Sequence, residues 1–374
     1  MALSFFLTAG LLYSAAAPFA SVNAWRDLDG AAPFVFPEEA DANVMKRPPH
    51  AMVVSGGGAR AYASTLGYLG ALTDEGLIQR LRYLGGASGG AWGATAYGYA
   101  QVGSSGVAAN DAQLLGTVVS PANITLPALG IIDPLCLRAS VTVDAVPQFL
   151  EAFVSNGLDA RKAMISTLHA VFLAKAGIPA PFTEKGGDGV PFAASAAAAA
   201  AATARNPAAF GTLKPSDWLV PSTTVDRPLL AIGFTVLGPK VAAPLDSANR
   251  SYTVLEVSPY AVGTPRVARI TYNAKAAKDD ETVVVGGLID SFAFGAEAPS
   301  TPAGYLPAGS GGAVLSGVPQ AAERFTLAHA SASSGWVSLN CSIRLASLLV
   351  HYLKNANPAH DLTRSPSSLF IFSF

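Results

Sequence analysis

The amino-acid sequence predicts an α/β fold in three layers, with helices on a central, mostly parallel sheet and an irregular cap. Three observations carry that expectation. Two short apolar runs, AMVV at 51–54 and LRYLGG at 81–86, each lead into a glycine-rich turn. A helix-like stretch follows each turn, so strand, turn and helix repeat in the order that builds a parallel sheet. Hydrophobic residues make up 51% of the 374 and charged residues only 13%, against about 25% charged in an average soluble protein. Such a chain has the material for a large core.

Taken in order, residues 1–24 (MALSFFLTAGLLYSAAAPFASVNA) are apolar and uncharged, with small residues at Ala17 and Ala24 that suit a signal peptidase. The segment resembles a secretory leader. It has no basic residues before the apolar stretch, and Pro18 interrupts it, which argues against a spanning helix. A chain whose true start lies upstream would look similar. Three N-x-S/T sequons, at Asn123, Asn249 and Asn340, agree with a secreted or endomembrane-lumen location. A cytoplasmic protein at a membrane surface is the alternative.

The main domain is expected over about 45–355, after a Pro-rich loop at 25–50. From Ala61 to Glu75 the residues Leu66, Leu69 and Leu72 recur at helical spacing until Gly76 stops the helix. A second helix is expected over 89–100, and helical pattern again over 141–177. The stretch 191–210 is alanine-rich; alanine favours helix, but nothing there specifies packing, and it reads as a loose insert. Strands are expected at 227–237, 251–260 and 282–289, a loop at 295–320 and an amphipathic helix at 341–354.

Composition excludes several functions. A net charge of −1 and the absence of any Lys/Arg block argue against nucleic acid. The five histidines (His50, His169, His329, His351, His360) show no ligand spacing, so neither a metal nor an organic cofactor is implied. Cys136 and Cys341 admit one disulfide or two buried thiols.

The chemistry gathers in two loops. Gly86-Ala87-Ser88-Gly89-Gly90 is a G-x-S-x-G pentapeptide between a strand and a helix. Such a turn is too sharp for neighbouring side chains, and it lifts the serine hydroxyl out of the sheet at a helix N-terminus. Ser55-Gly56-Gly57-Gly58-Ala59-Arg60 ends the preceding strand. Acyl transfer needs backbone N–H donors for its tetrahedral oxyanion, and consecutive glycines present them unobstructed. Arg60 is positioned to hold a phosphate bidentately. A dinucleotide fingerprint, Gly56-x-Gly58-x-x-Ala61, competes for the same loop. It wants an acidic residue ending the second strand, whereas Asp74 and Glu75 fall on a helix end.

SGGGARAYASTLGYLGAL (55–72) and YLGGASGGAW (83–92) closely resemble the catalytic core of the cytosolic phospholipase A2 and fungal phospholipase B family, relatives of patatin. Glu256–Gly263 (EVSPYAVG) is similar to that family's E-x-S-P-Y-x-x-G segment. Weaker likeness runs through GGLIDSFAFG (286–295) and FTLAHASASSGW (325–336). The resemblance implies a patatin-like fold and Ser88 as nucleophile. It makes Gly57 and Gly58 oxyanion donors with Gly56 in support, and Arg60 a reader of substrate phosphate. It also implies a Ser–Asp dyad without histidine, acting on phospholipids or lysophospholipids at a membrane surface.

The departure is the dyad aspartate. The family places it in an Asp-Gly-Gly or Asp-Ser-Gly turn after the segment resembling 325–336, and none follows here. Asp361 has dissimilar neighbours, while Asp188-Gly189 and Asp29-Gly30 stand in the wrong context. Asp290, ending the run TVVVGGLI, has the local chemistry but lies early. Either Asp290 is the base, or the base is missing from a chain cut short at its C-terminus. Two alternatives to the hydrolase stand beside it: a truncated, inactive lipid-binding homologue, and a dinucleotide-dependent oxidoreductase.

Overall fold

Strand-forming segments from both ends of the chain meet in one sheet. A computed structural model describes residues 19–25, 35–103, 106–116, 120–123, 125, 136–142, 145–155, 157–183, 188–237, 252–272, 281–294, 313–319 and 323–335. The strands are β1 (Phe19–Trp25), β2 (His50–Val54), β3 (Leu81–Ala87), β4 (Leu229–Leu237), β5 (Tyr252–Val257), β6 (Ala261–Tyr272), β7 (Glu281–Asp290) and β8 (Ala313–Pro319). They lie in the order β2-β3-β4-β5-β6-β7-β1-β8. The main described helices are α1 (Gly58–Asp74), α2 (Gly89–Gly98), α3 (Ala160–Leu168), α4 (Ala196–Arg205) and α5 (327–335).

The α/β class is the one expected, but the parallel character is confined to β2-β3-β4. The pairings from β4 through β7, β1 and β8 are all antiparallel. Connection length explains the change. A parallel pair needs a crossover of a dozen residues or more, which α1 and the long segment after β3 provide. Between β5 and β6 only Ser258–Tyr260 intervene, enough for a hairpin and nothing else.

Alternation along the strands divides the sheet's two faces. Leu84, Leu230, Ile232 and Phe234 are buried on one face, in the same cluster as Ala91, Trp92 and Tyr97 of α2. All ten residues of α2 are buried, as a helix apolar on every side must be. α1 packs on α2 through Tyr62, Leu66 and Leu69, each 0% exposed, at the i, i+4, i+7 spacing of one helical stripe. The opposite face carries Tyr83, Val53 and Val254, and the last two are 76% and 65% exposed. Among the described residues that face is met by the short segment at 37–47, where Glu38 accepts a hydrogen bond from the Tyr83 hydroxyl at 3.4 Å. The helical layer expected there is therefore thin within the described residues.

Three sequence expectations are corrected. The alanine-rich stretch is an ordered helix, α4. The Ser195 hydroxyl caps it by accepting from the Ala198 amide, and Ala199 and Ala202 pack with Phe210 and Trp218. Part of the loop expected at 295–320 is β8. And Phe19–Trp25, read as the end of a leader, is the interior strand β1 between β7 and β8, with Val22 and Ala24 buried. A cut after Ala24 would remove that strand; a cut after Ala17 would spare it. Residues 1–18, the helix expected at 341–354 and Cys341 lie outside the described residues.

Candidate active site

β3 ends at Ala87 and α2 begins at Gly89, leaving Ser88 alone to reverse the chain. It does so at φ 51°, ψ −130°, and among the described residues no other non-glycine has positive φ. A side chain held there stores strain of roughly 1–3 kcal/mol, which the surroundings must impose. They do so through close backbone contact. A Cβ on Gly89 would fall on the Gly58 carbonyl oxygen, so the first turns of α1 and α2 touch. Each helix N-terminus carries about half a positive charge, so two such fields converge beside the serine.

The glycine loop lies against the serine side chain. A Cβ on Gly56 would stand 2.9 Å from Ser88 Cβ and 3.6 Å from its Oγ. Gly57, at φ 149°, caps α1, and Gly58, at φ 62°, is its first residue. Arg60 follows in the first turn, exposed. With Ser55, Gly56, Gly57, Ser64 and Tyr68 it lines a cleft of about 390 Å³. A cation in the first turn of a helix opposes the dipole, so its presence there is not explained by helix stability. The structure thus brings Ser88 and Gly56 into contact, with Gly57, Gly58 and Arg60 in direct continuation.

Ser88 Oγ is buried and has no hydrogen-bond partner among the described residues. Its amide does have one: the Ser88 N–H donates to Ser334 Oγ at 2.7 Å, and Ser334 donates to the Gly233 carbonyl at 2.6 Å. The sequence showed only a weak likeness around Ser334; a lone serine on a helix carries no signal of such a contact.

Asp290 is not brought to Ser88. β4, β5 and β6 separate β7 from β3, a lateral distance on the order of 19 Å at about 4.8 Å per strand. β7 also runs antiparallel to β3, so its C-terminal end points to the other edge of the sheet. The alternative that made Asp290 the base needed β7 beside β3 and parallel to it, and β7 is neither. Its carboxylate is a structural tie. It accepts from the Asn23 amide at 2.6 Å and from Arg205 at 2.7 Å, linking β1, β7 and α4. Asp290→Asn is expected to leave the reactivity of Ser88 unchanged and to shift stability little at pH 7, because burial of the charge offsets its bonds to Asn23 and Arg205. Chemical denaturation and active-site labelling, run in parallel, measure both.

Other ionisable groups serve packing. Burial raises the carboxyls of Glu38, Glu256 and Asp290 above the usual range, and the charge of Glu256 lifts Glu38 further. Each binds its proton more tightly folded than unfolded. Their contribution to stability is therefore full below the ordinary carboxylate pKa and is lost as pH rises through the raised folded values. Glu256→Gln should melt higher than the wild type at pH 7, with the gap closing near pH 4; thermal scans across that range check it. His329 is a buried core histidine. Its ring contacts Thr326 Oγ1 at 2.7 Å and Glu323 at 2.8 Å, and Arg161 holds the Glu323 carboxyl down to about 2. For the dinucleotide alternative, Asp74 ends α1 and Glu75 caps it, roughly 25 Å of helix away from the glycine loop.

No known family matches the sequence, and no curated protein does. Solved structures resemble the fold, two of them as follows. One is human GIVD cytosolic phospholipase A2, at 18% identity and a TM-score of 0.31, covering 86% of this chain and 30% of that one. The other is that enzyme in complex with methyl gamma-linolenyl fluorophosphonate inhibitor and terbium chloride, at 17% identity and a TM-score of 0.23, covering 60% and 26%. The chain spans less than a third of the length of the enzyme it resembles.

Proposed function

We propose that this chain is a serine acyl hydrolase acting on phospholipid or lysophospholipid esters. One observation carries the reading: a buried, unpartnered hydroxyl on a positive-φ serine, set where two helix N-termini meet and against a glycine loop. Buried hydroxyls are ordinarily hydrogen-bonded and L-residues ordinarily avoid that backbone region, so two separate costs fall on one atom. Ser88 Oγ gives up its proton and attacks the acyl carbonyl, the tetrahedral oxyanion is held by amides of the Gly56–Gly58 loop, the proton passes to the departing alkoxide as the ester C–O bond breaks, and water then releases the acid and returns a proton to Ser88. Arg60 holds the phosphate of the substrate in the adjoining cleft. The resemblance of 55–72 and 83–92 to phospholipase motifs supports the same roles.

The same unpartnered hydroxyl favours a second reading, an inactive lipid-binding homologue. Attack requires a base within about 2.6–3.2 Å of the serine, and no acceptor among the described residues hydrogen-bonds to Oγ. A fluorophosphonate separates the two, since it phosphonylates an activated serine and leaves an inert one unmodified. Covalent mass addition at Ser88 supports the hydrolase; an unlabelled but lipid-binding protein supports the homologue.

Arg60→Ala tests the phosphate role. Loss of a charge-assisted contact should lower turnover of a phospholipid by about 10–100-fold, while a nitrophenyl acylate, which has no phosphate, is cleaved as before. Equal losses on both substrates would make the arginine structural.

A further inference from the structure

We infer that Ser334 is a positioning residue for the Ser88 nucleophile, fixing the elbow and withdrawing the serine's own amide from the oxyanion. The inference rests on the hydrolase reading and adds a residue to it. Ser334 has one hydroxyl proton. At 2.6 Å from the Gly233 carbonyl that proton is committed to β4, so the hydroxyl's lone pair faces the Ser88 N–H at 2.7 Å. Gly233 is the β4 residue paired with Ala87, the last residue of β3. The relay therefore crosses from the end of one parallel strand to the elbow residue of the other, at the point where the ladder stops. With its amide engaged, the strained peptide at Ser88 is held from one side by Ser334 and from the other by the glycine loop.

Helix α5 delivers that hydroxyl. Trp92 Nε1 donates to the Ser331 carbonyl at 3.1 Å, and Ser331 Oγ donates to Thr95 Oγ1 at 3.0 Å, which docks α5 along α2. Ser334 lies three residues on, on the same helix face, and so arrives at the N-terminus of α2. One consequence is specific. A nucleophile's own N–H often serves in an oxyanion hole; here it is occupied by Ser334, which leaves that work to the amides of the glycine loop.

The experiment compares wild type, Ser334→Ala, Ser334→Thr and Ser331→Ala in fluorophosphonate inactivation and in nitrophenyl butyrate hydrolysis, with thermal melts of each. Ser334→Ala is expected to lose about 10–100-fold in kcat and in inactivation rate at unchanged KM, the loss expected for an interaction that acts on the reacting group rather than on binding. Ser334→Thr, which keeps the hydroxyl, should stay within about threefold of wild type. Ser331→Ala, which loosens the helix that presents Ser334 but leaves its hydroxyl in place, should lose less kcat than Ser334→Ala. A reactive wild type with Ser334→Ala unchanged, or with Ser334→Thr falling as far as Ser334→Ala, overturns the role of Ser334 alone. An unreactive wild type overturns the hydrolase reading and this inference with it.

Discussion

Ser88→Ala is expected to lose all fluorophosphonate labelling and all acyl release without losing stability. The two halves of that result have separate causes. Removing Oγ removes the atom that forms the acyl bond, so no residual covalent chemistry remains at this position. Yet Oγ makes no hydrogen bond among the described residues, so its deletion breaks none of their contacts and relieves a buried hydroxyl that water would otherwise solvate. The alanine variant should melt at or above the wild-type temperature. Ser88→Gly, which also relieves the φ of 51°, should gain about 1 kcal/mol more. A residue whose removal abolishes activity while raising stability is one maintained against the interests of the fold. Intact-mass measurement after labelling, together with thermal melts, checks both halves. Labelling retained at wild-type rate in Ser88→Ala would place the nucleophile elsewhere.

Gly89→Ala is expected to be among the most damaging single methyl additions in the described protein. Its Cβ would clash with the Gly58 carbonyl oxygen and crowd the Gly58 nitrogen at 2.8 Å. Both partners are backbone in the first turn of a helix, so neither can rotate away as a side chain could. Overpacking that a core absorbs by rotamer change costs about 1–3 kcal/mol; here the helices themselves must separate, and a loss of at least ~3 kcal/mol follows. The control is Gly67→Ala. Like Gly89, Gly67 is a helical glycine without positive φ, but nothing lies within 4 Å of its Cβ position, so alanine there should be neutral or gain about 1 kcal/mol from its better helix propensity. Urea denaturation of the two variants isolates the contact from the change of residue type. Equal effects would show that α1 and α2 do not meet as tightly as the structure has them. Because separation of the helices also moves the loop off Ser88, labelling in any folded Gly89→Ala protein should fall in step.

The candidate nucleophile and its loop were legible in the sequence because everything that makes them is local. A strand of four to seven residues, a run of glycines and a helix start are all written within a dozen positions, and β2–α1–β3–α2 follows from them. Even the choice of glycine is a local statement, since a turn that admits no side chain must be spelled with residues that have none. Strand identity beyond that point was legible too: β4, β5 and β7 fall where the apolar runs predict them.

What only the tertiary structure decided was which strands lie side by side, and in which direction. Periodicity reports that a segment is a strand and which of its residues share a face; it carries no address for its neighbour. Asp290 was correctly placed at a strand end, but its usefulness depended on strand order and direction, and β4, β5 and β6 intervene. β1 escaped notice for a related reason: it continues an apolar run, and its alternation of buried Val22 and Ala24 with half-buried Ser21, Asn23 and Trp25 names no neighbouring strand. Ser334 lies 246 residues from Ser88 in the chain, and the contact between them is made by helix docking, through Trp92 and Thr95, that no local pattern foretells. Local chemistry wrote the candidate nucleophile; long-range packing determined what lies against it and what does not reach it.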